Sequence, residues 1–365
     1  MSASSTSTPV SPGLHVGEYV IDEEIGAGGM GKVYRAVHPV IGKSVAIKVL
    51  SQKMASNPNT IRRFVLEART VNEIRHPNLV DIFSFGQLTD GRYYYIMEYL
   101  EGRSLGEVLR ERGRLRPEEI YPVFSDVLRA LEATHAKAVV HRDLKPDNVF
   151  LVCNPGGDLV RAKLLDFGLA KLIEGGGQQA APLTGVGMAV GTPHYMAPEQ
   201  CMARPVDGRT DLYALGVMFY EALTGGKPCT GDTTVAIWEA QVRKAPRPPI
   251  ELAPETVGLE LNRMVLKLLA KDPNDRYQTA GDVLAALGAM SARISSSRRI
   301  ALGVRRSPAQ LGADVLQAIP SSLNSEQLVP LGATPSPVNV KNTDELRVVL
   351  EKDAEKLISE NEELF

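Results

Sequence analysis

The sequence predicts an α+β fold with two lobes, in which a β-rich first part precedes a mainly helical second part. β-Branched and aromatic runs typical of strands lie in the first hundred residues, at 45–50 and 93–97. From about residue 104 to residue 289, helical periodicity dominates and is punctuated by Gly and Pro. Two such lobes leave a cleft between them, and that cleft is where we expect a ligand site.

Changes in composition set the domain boundaries. Residues 1–16 are rich in Ser, Thr and Pro and are predicted to be a disordered arm. Residues 17–290 are predicted to form the folded domain, with an N-lobe over about 17–100 and a C-lobe over about 101–290. After it, the sequence predicts a flexible basic Ser/Pro-rich linker at 291–342 and an acidic amphipathic helix at 343–365.

Charge and composition exclude several classes of protein. The chain has 365 residues, 44% of them hydrophobic, and a formal net charge of −2. This balance lacks the basic excess that nucleic-acid binding needs. Neither a signal peptide nor an apolar run of about 20 residues is visible, so we expect a cytoplasmic chain without a membrane span. The three widely spaced cysteines fit a reducing compartment.

The glycine-rich segment 26–31 is compatible with two phosphate-binding motifs. Gly26, Gly28 and Gly31 satisfy GxGxxG, but a strand-like sequence follows where a dinucleotide-binding fold needs a helix. The segment nearly satisfies GxxxxGK[ST], yet Val33 stands where a hydroxyl must bind magnesium. The segment therefore predicts a glycine-rich hairpin over a nucleotide, with an ordinary Gly-rich turn as the alternative.

A lysine and a carboxylate are predicted to pair near this hairpin. Strand alternation places Ala46 and Lys48 on one face, with Val45 and Ile47 on the other. The one helix predicted in the N-lobe, 61–74, carries Glu67 in its apolar stripe, where an unpaired carboxylate is costly. We therefore expect Glu67 to form an ion pair with Lys48. The alternative is that Glu67 is exposed to solvent.

Three segments of the second half carry a resemblance to a known family. They are HRDLKPDN at His141–Asn148, DFG at Asp166–Gly168, and GTPHYMAPE at Gly191–Glu199. In this order and at these spacings, the chain resembles the protein kinase family from about residue 19 to residue 289. DLKPDN resembles the serine/threonine branch, and the compact loops are similar to those of bacterial eukaryotic-like kinases.

The resemblance implies the bilobal protein kinase fold and a site for phosphoryl transfer. Asp143 would act as the base that accepts the proton of a Ser or Thr hydroxyl, and Lys145 would reach the γ-phosphate of ATP. Asn148 and Asp166 would bind Mg²⁺, with Mn²⁺ as a substitute. Lys48 would hold the α- and β-phosphates, with Glu67 holding Lys48.

The resemblance also implies an adenine site. Met97 would be the gatekeeper, and the main chain of Glu98 and Leu100 would hydrogen-bond the base. The residues assigned to the nucleotide are Ile25, Gly26, Gly28, Gly31, Val33, Ala46, Lys48, Met97, Glu98, Leu100 and Phe150.

Control elements follow from the same resemblance. Arg142 would grip a phosphate on the activation segment, with Thr184 as the predicted phosphosite. Thr192 is predicted to bond Asp143 and Lys145 and to shape the substrate groove.

The same resemblance implies two structural assignments. His141 is predicted to be structural, in a stack with Phe167, Val71, Ile82 and Asp211. Glu199 and Arg276 are predicted to form a buried ion pair.

Two readings of function remain open beside each other. The sequence predicts an active Ser/Thr kinase that phosphorylates protein substrates, autophosphorylates and acts in bacterial signalling. The alternative is an ATP-binding pseudokinase scaffold that signals through its tail. Such a scaffold would normally lack Lys48, Asp143 or Asp166, and all three are present. The tail helix 343–365 fits a homodimer contact, a docking contact with a partner, or a solvated acidic segment.

Overall fold

A computed structural model of the chain describes residues 10–28, 31–55, 61–62, 65, 69, 72–166 and 193–291. All of them belong to one compact unit, Met1–Arg305. Apart from Ser291, the predicted linker and the predicted acidic helix lie outside the described residues.

The N-lobe is built on a six-stranded antiparallel sheet. Its strands are β1 (His15–Val16), β2 (Tyr19–Ala27), β3 (Gly31–Val37), β4 (Ser44–Leu50), β5 (Ile82–Gln87) and β6 (Tyr93–Glu98), in the order β1-β2-β3-β4-β6-β5. Alternation along β4 divides the core in two. Ala46 and Leu50 pack into the main core, whereas Val45, Ile47 and Val49 pack into a smaller N-lobe cluster. This confirms the predicted opposition of Ala46 to Val45 and Ile47.

The prediction of a disordered arm over residues 1–16 is wrong for residues 10–16, which are ordered. Strand β1 pairs with β2, and the Gly13 amide donates to the carbonyl oxygen of Ile21 at 2.8 Å. Val16 is buried, and Val10 and Leu14 pack against the small N-lobe cluster. Three apolar side chains within a Ser/Pro-rich stretch thus cover one face of the sheet and order residues 10–16, while residues 1–9 lie outside the described part.

The helix predicted at 61–74 is present at every described position of that range. Residues 61–62, 65, 69 and 72–74 are helical. Arg69 and Glu73 form an ion pair one turn apart along this segment, with Nε and Oε1 separated by 3.0 Å. Glu67 lies outside the described residues, so its predicted contact with Lys48 stays a prediction.

The C-lobe is mainly helical, as predicted. Its helices are α2 (Leu105–Arg112), α3 (Pro117–His135), α4 (Pro198–Cys201), α5 (Gly208–Thr224), α6 (Thr234–Arg243), α7 (Pro249–Leu252), α8 (Leu259–Leu268) and α9 (Ala280–Ser291), after a short α1 (Gln52–Ala55) in the N-lobe. A three-stranded sheet joins them: β7 (Gly102–Ser104), β8 (Val149–Cys153) and β9 (Leu159–Leu164). No helix in the described ranges is long and apolar enough to cross a membrane.

Local sequence explains where the main C-lobe helices begin. Ser104 caps α2 in a capping box with Glu107, and Asp207 and Thr233 cap α5 and α6 through their side chains. Helix α5 is buried along most of its length, because its residues are apolar on nearly every side. Its residue Asp211 accepts the main-chain amides of His141 and Arg142, so this helix supports the loop that follows them.

Residues 78–80, which follow the N-lobe helix, bond strand β9 and so connect the two lobes. The Val80 amide donates to the carbonyl oxygen of Leu164, and the Leu164 amide donates to that of Asn78, at 3.1 and 2.8 Å. Lys163 of β9 forms an ion pair with Glu98 at the end of β6. These contacts fix the position of β9, and therefore of Asp166 just after it.

Candidate active site

The loop between α3 and β8 brings three predicted site residues together. Lys145 Nζ donates to Asp143 Oδ2 at 2.8 Å. Asn148 Nδ2 donates to the main-chain oxygen of Asp143 at 2.8 Å and lies 3.5 Å from its Oδ2. Pro146 starts a 3₁₀ turn, Pro146–Asn148, where its fixed φ and missing N–H are tolerated. The turn brings Asn148 back beside Asp143, so the carboxylate is held from two sides.

Asp211 of helix α5 anchors the start of this loop. Its side chain is 1% exposed. Its two oxygens accept the amides of His141 and Arg142 at 2.8 and 2.9 Å, and His135 Nε2 lies 2.8 Å from Oδ2. Arg142 has a φ of 63°, a left-handed conformation that costs about 1–3 kcal/mol at a non-glycine residue. The carboxylate of Asp211 compensates for that strain and fixes the backbone one residue before Asp143.

His141 is fully buried beneath the loop. Its Nε2 lies 3.1 Å from the carbonyl oxygen of Leu165, and its Nδ1 lies 3.4 Å from the amide of Asp143. A carbonyl can only accept, so Nε2 carries the proton and Nδ1 is the acceptor. Burial lowers the pKa of His141, which favours this neutral form. The contacts support the structural role predicted for His141; its predicted neighbours Phe167 and Val71 lie outside the described residues.

Asp166 meets Lys48 across the cleft. Lys48 Nζ donates to Asp166 Oδ1 at 2.5 Å, and the hydroxyl of Tyr95 donates to the same oxygen at 3.3 Å. Burial raises the pKa of Asp166, but the charge and hydrogen bond of Lys48 outweigh burial and lower the pKa below its usual 3.8. Asp166 is therefore ionised at neutral pH. Neither contact was predicted from the sequence, which assigned Lys48 to Glu67 and to phosphate.

The sheet register places four of the predicted nucleotide residues on one face. Val33 lies opposite Lys48, and Ala46 lies opposite Met97. Cross-strand partners share a face of the sheet, so these four side chains lie on the side that carries Lys48 toward Asp166. Phe150 lies on β8 of the C-lobe and is partly buried.

The end of β6 holds Glu98 firmly. The Glu98 amide donates to the carbonyl oxygen of Asp81 at 2.9 Å, and its side chain accepts the amide of Asp81 at 2.8 Å and pairs with Lys163. The part of the Glu98 main chain that can meet an adenine is therefore its carbonyl oxygen. Leu100, the second main-chain residue assigned to the base, is partly buried.

The glycine hairpin is closed by main-chain bonds between Gly28 and Gly31, at 2.8 and 3.3 Å. A Cβ at Gly31 would lie 2.0 Å from the carbonyl oxygen of Val49, so β3 and β4 can approach only because Gly31 has no side chain. Gly28 faces open space, and Ile25 is 44% exposed. The strand predicted after the glycines is β3, which confirms the hairpin over the dinucleotide-type turn.

The predicted buried ion pair is present. Arg276 Nη1 and Nη2 each donate to one oxygen of Glu199 at 2.8 Å, and the two residues are 2% and 4% exposed. Thr210 Oγ1 adds a third donor at 2.8 Å. Burial raises the pKa of Glu199, but the bidentate guanidinium of Arg276 holds it below the usual 4.5. The pair fixes the start of helix α4.

Two oxygens at the site suit a hard cation. Asn148 uses its Nδ2 on Asp143, which leaves its Oδ1 for a ligand role. Asp166 shares Oδ1 between Lys48 and Tyr95, while its Oδ2 makes no hydrogen bond in the part of the chain that the structure describes. Amide and carboxylate oxygens are ligands that Mg²⁺ prefers. The residues present therefore fit the predicted metal.

The predicted regulatory threonines, Thr184 and Thr192, lie outside the described residues. Arg142 is described, and its carbonyl oxygen accepts Gln200 Nε2 at 2.9 Å. Sequence reasoning missed Tyr95 and Lys163. The register of β4 against β6 would have pointed to Tyr95, because Tyr95 lies directly opposite Lys48.

The fold and the site define the class of protein. Residues 19–286 match the protein kinase domain family, and the chain belongs to that family. Among curated relatives, serine/threonine-protein kinase Pkn1 of Myxococcus xanthus is 44% identical over 265 residues, which are 73% of this chain and 37% of Pkn1. Serine/threonine-protein kinase pkn3 of the same organism is 36% identical over 292 residues, 80% of this chain and 52% of pkn3.

Other relatives agree. Serine/threonine-protein kinase PknA of Mycobacterium tuberculosis is 35% identical over 281 residues, 76% of this chain and 62% of PknA. The crystal structure of the PknI kinase domain of Mycobacterium tuberculosis superposes with a TM-score of 0.59 at 25% identity and covers 77% of this chain and 99% of that domain. The chain spans less than two thirds of the length of these curated relatives.

Proposed function

We propose that the chain is a serine/threonine protein kinase that transfers the γ-phosphate of ATP to Ser or Thr hydroxyls of protein substrates. One observation carries the proposal: the Asp143 carboxylate is held by Lys145 and Asn148, while Asp166 is paired with Lys48 across the cleft. The curated relatives named above are serine/threonine-protein kinases, which supports the choice of acceptor.

Each side chain has a defined task in this proposal. Asp143 accepts the proton of the acceptor hydroxyl and orients its oxygen for in-line attack. Lys145, now bonded to Asp143, turns to the γ-phosphate, and Lys48 turns from Asp166 to the α- and β-phosphates. Asn148 and Asp166 would hold Mg²⁺, for which Mn²⁺ could substitute, and a cation held there would neutralise charge on the triphosphate.

The nucleotide lies under the glycine hairpin. Val33 and Ala46 cover one side of the adenine and Phe150 the other, with Met97 at the back of the pocket. The carbonyl oxygen of Glu98 and the main chain of Leu100 bond the base. Ile25, Gly26, Gly28 and Gly31 form the cover over the ribose and phosphates.

A transfer assay tests the proposal. Purified chain, Mg·ATP labelled on the γ-phosphate and a generic Ser/Thr protein substrate are compared with the Asp143→Asn variant. We expect label in the wild type and a loss of about 100-fold or more in the variant, because one general base is worth that factor. Unchanged melting temperature and nucleotide binding in the variant control for its fold. Nucleotide binding without label in either protein would contradict kinase activity and favour the scaffold.

Control by phosphorylation belongs to the same proposal. Phosphate on Thr184 would pair with Arg142, next to the catalytic Asp143, and Thr192 would bond Asp143 and Lys145. Arg142 is held by Asp211 and Gln200 at its main chain, which supports a fixed anchor for such a phosphate. Thr184→Ala should lower activity and remove one phosphopeptide. Full activity with an unchanged phosphopeptide map would exclude Thr184.

The ends of the chain and its location complete the proposal. The segment 343–365 acts as a homodimer or docking contact beyond the linker 291–342. Sedimentation of the chain with and without residues 343–365 tests this, because equal monomeric mass in both would exclude dimerisation. A cytoplasmic location is supported by the free thiols of Cys153, Cys201 and Cys229. Fractionation of cells that express the chain tests it.

A further inference from the structure

Strand β6 contains three consecutive tyrosines with different surroundings. Tyr95 is 1% exposed and lies directly opposite Lys48 in the register of β4 and β6. Tyr94 packs against the small N-lobe cluster on the other face of the sheet. Tyr93 stacks on Phe85, with ring centroids 5.7 Å apart. Among the described residues, Tyr95 is the one of these three tyrosines that contacts a side chain of the candidate active site.

That contact is a hydrogen bond to Asp166. The Tyr95 hydroxyl donates to Asp166 Oδ1 at 3.3 Å, and Lys48 Nζ donates to the same oxygen at 2.5 Å. Lys48 Nζ also lies 5.7 Å from the centre of the Tyr95 ring. One carboxylate oxygen is thus held by two donors that come from neighbouring strands of the N-lobe, whereas Asp166 itself follows β9.

Asp166 needs support because its backbone is strained. Its φ is 41°, in the left-handed region that is unfavourable for a residue with a Cβ. The preceding residue is well anchored: the Leu165 amide donates to the carbonyl oxygen of Asn148 at 2.9 Å, and His141 bonds the Leu165 carbonyl. Within the described part of the chain, the side chain of Asp166 is held by Lys48 and Tyr95.

These two donors are not equivalent during a reaction cycle. Lys48 is a cation on a long flexible stem, and triphosphate oxygens compete for it. The Tyr95 hydroxyl is neutral and is fixed by a buried ring, so phosphate does not draw it away. When Lys48 turns to the nucleotide, Tyr95 is the donor that remains on Oδ1.

We propose that Tyr95 is a positioning residue that keeps Asp166 Oδ1 bonded while Lys48 is engaged by nucleotide, so that Oδ2 stays available to the metal. This inference rests on the proposed function in one respect, the role of Asp166 as a ligand of Mg²⁺. It concerns metal-dependent nucleotide binding and not the acceptor hydroxyl.

The test compares Tyr95→Phe with Tyr94→Phe, each of which removes one hydroxyl from the same strand. Calorimetry gives the Kd of a non-hydrolysable ATP analogue in MgCl₂ and in EDTA. The gain in affinity from Mg²⁺ is the Kd in EDTA divided by the Kd in MgCl₂. We expect this ratio to be about three- to tenfold smaller in Tyr95→Phe than in wild type, the size expected for one lost hydrogen bond. The Kd in EDTA should stay unchanged, and Tyr94→Phe should behave as wild type. Melting temperatures of all variants check the fold.

A second arm links the effect to Asp166. In an Asp166→Ala background, Tyr95→Phe should change the Kd ratio no further, because the acceptor is gone. An unchanged ratio in Tyr95→Phe, an equal fall in Tyr94→Phe, or a full additional fall in the Asp166→Ala background would each overturn the inference. An equal Kd in MgCl₂ and in EDTA for the wild-type chain would also overturn the inference. The proposed kinase activity is judged separately by the transfer assay, in which none of these variants is needed.

Discussion

The catalytic loop, 141–148, and the glycine hairpin, 25–31, are both assigned to the same nucleotide but are held in place by different means. The loop rests on buried polar groups, above all Asp211, whose carboxylate accepts two main-chain amides. The hairpin is closed by main-chain bonds between Gly28 and Gly31, and its approach to β4 depends on a missing side chain.

The difference follows from what each region must do. Groups that are proposed to perform the chemistry need a fixed geometry. Buried charge-assisted hydrogen bonds supply that geometry, but they also make it sensitive to the loss of any partner. The nucleotide cover needs main-chain N–H groups close to phosphate, which only short or absent side chains permit. Removing a charge should therefore damage the C-lobe side, and adding a carbon should damage the hairpin.

The largest effect should come from breaking the buried pair behind helix α4. Arg276→Met leaves the carboxylate of Glu199 buried without its bidentate partner, which should lower the free energy of unfolding by about 3–5 kcal/mol. Urea unfolding measures this change. The matched control is Arg114→Met, because Arg114 pairs with Glu255 where both side chains are about half exposed. That pair should contribute about 0–1 kcal/mol, and equal losses in both variants would contradict the comparison.

A smaller but more informative effect is expected at Asp211. Asp211→Asn keeps the shape of the side chain but replaces one acceptor by an NH₂ group, so one amide of His141 or Arg142 loses its partner. The loss should be about 1–3 kcal/mol in stability. Activity should fall at least tenfold, because Arg142 directly precedes Asp143.

Kinetics and urea unfolding of the Asp211 variant are compared with those of Asp232→Asn, an exposed position on the loop before α6. Full activity in Asp211→Asn would show that the loop keeps its shape without this anchor. The catalytic loop would then be no more constrained than the hairpin.

The hairpin should respond to an added methyl group, but only where the backbones touch. Gly31→Ala places a Cβ 2.0 Å from the carbonyl oxygen of Val49, which forces β3 and β4 apart and should cost about 1–3 kcal/mol. Gly28→Ala meets nothing within 4 Å and should stay within about 0.5 kcal/mol of wild type. Thermal unfolding with the KM for ATP measures both. An equal response at the two glycines would mean that the close approach of Gly31 does not hold the hairpin.

The same contrast explains what the sequence could predict. Motifs with fixed spacing identified Asp143, Lys145 and Asn148, because those residues meet within one short loop. Strand alternation placed Ala46 correctly, since that signal is local. The bond between Tyr95 and Asp166 joins residues 71 positions apart and leaves no periodic trace.

The N-terminal boundary failed for another reason. Ser, Thr and Pro make up most of residues 1–16. The last part of this segment nevertheless packs, because three of its side chains, Val10, Leu14 and Val16, are apolar. Composition averages over a window, but packing depends on single side chains and on the sheet face that they cover.

Protonation of Glu199 at low pH should reduce the stability from the Glu199–Arg276 pair by less than the Arg276→Met substitution does. The pKa of Glu199 is lower in the folded chain than its usual 4.5, so the stability from its ionised form is complete above pH 4.5. That contribution is lost as the pH falls through the folded-state pKa, at up to about 1.4 kcal/mol for each unit of pKa difference. Glu199→Gln resembles the protonated form at every pH. The gap in unfolding free energy between wild type and Glu199→Gln should therefore stay constant from pH 7 to about 4.5 and narrow as the pH falls further toward the folded-state pKa. A gap that stays constant down to pH 3 would mean that the charge of Glu199 does not stabilise the C-lobe. The proposed contrast between a C-lobe held by buried charges and an uncharged hairpin would then be wrong for the Glu199–Arg276 pair.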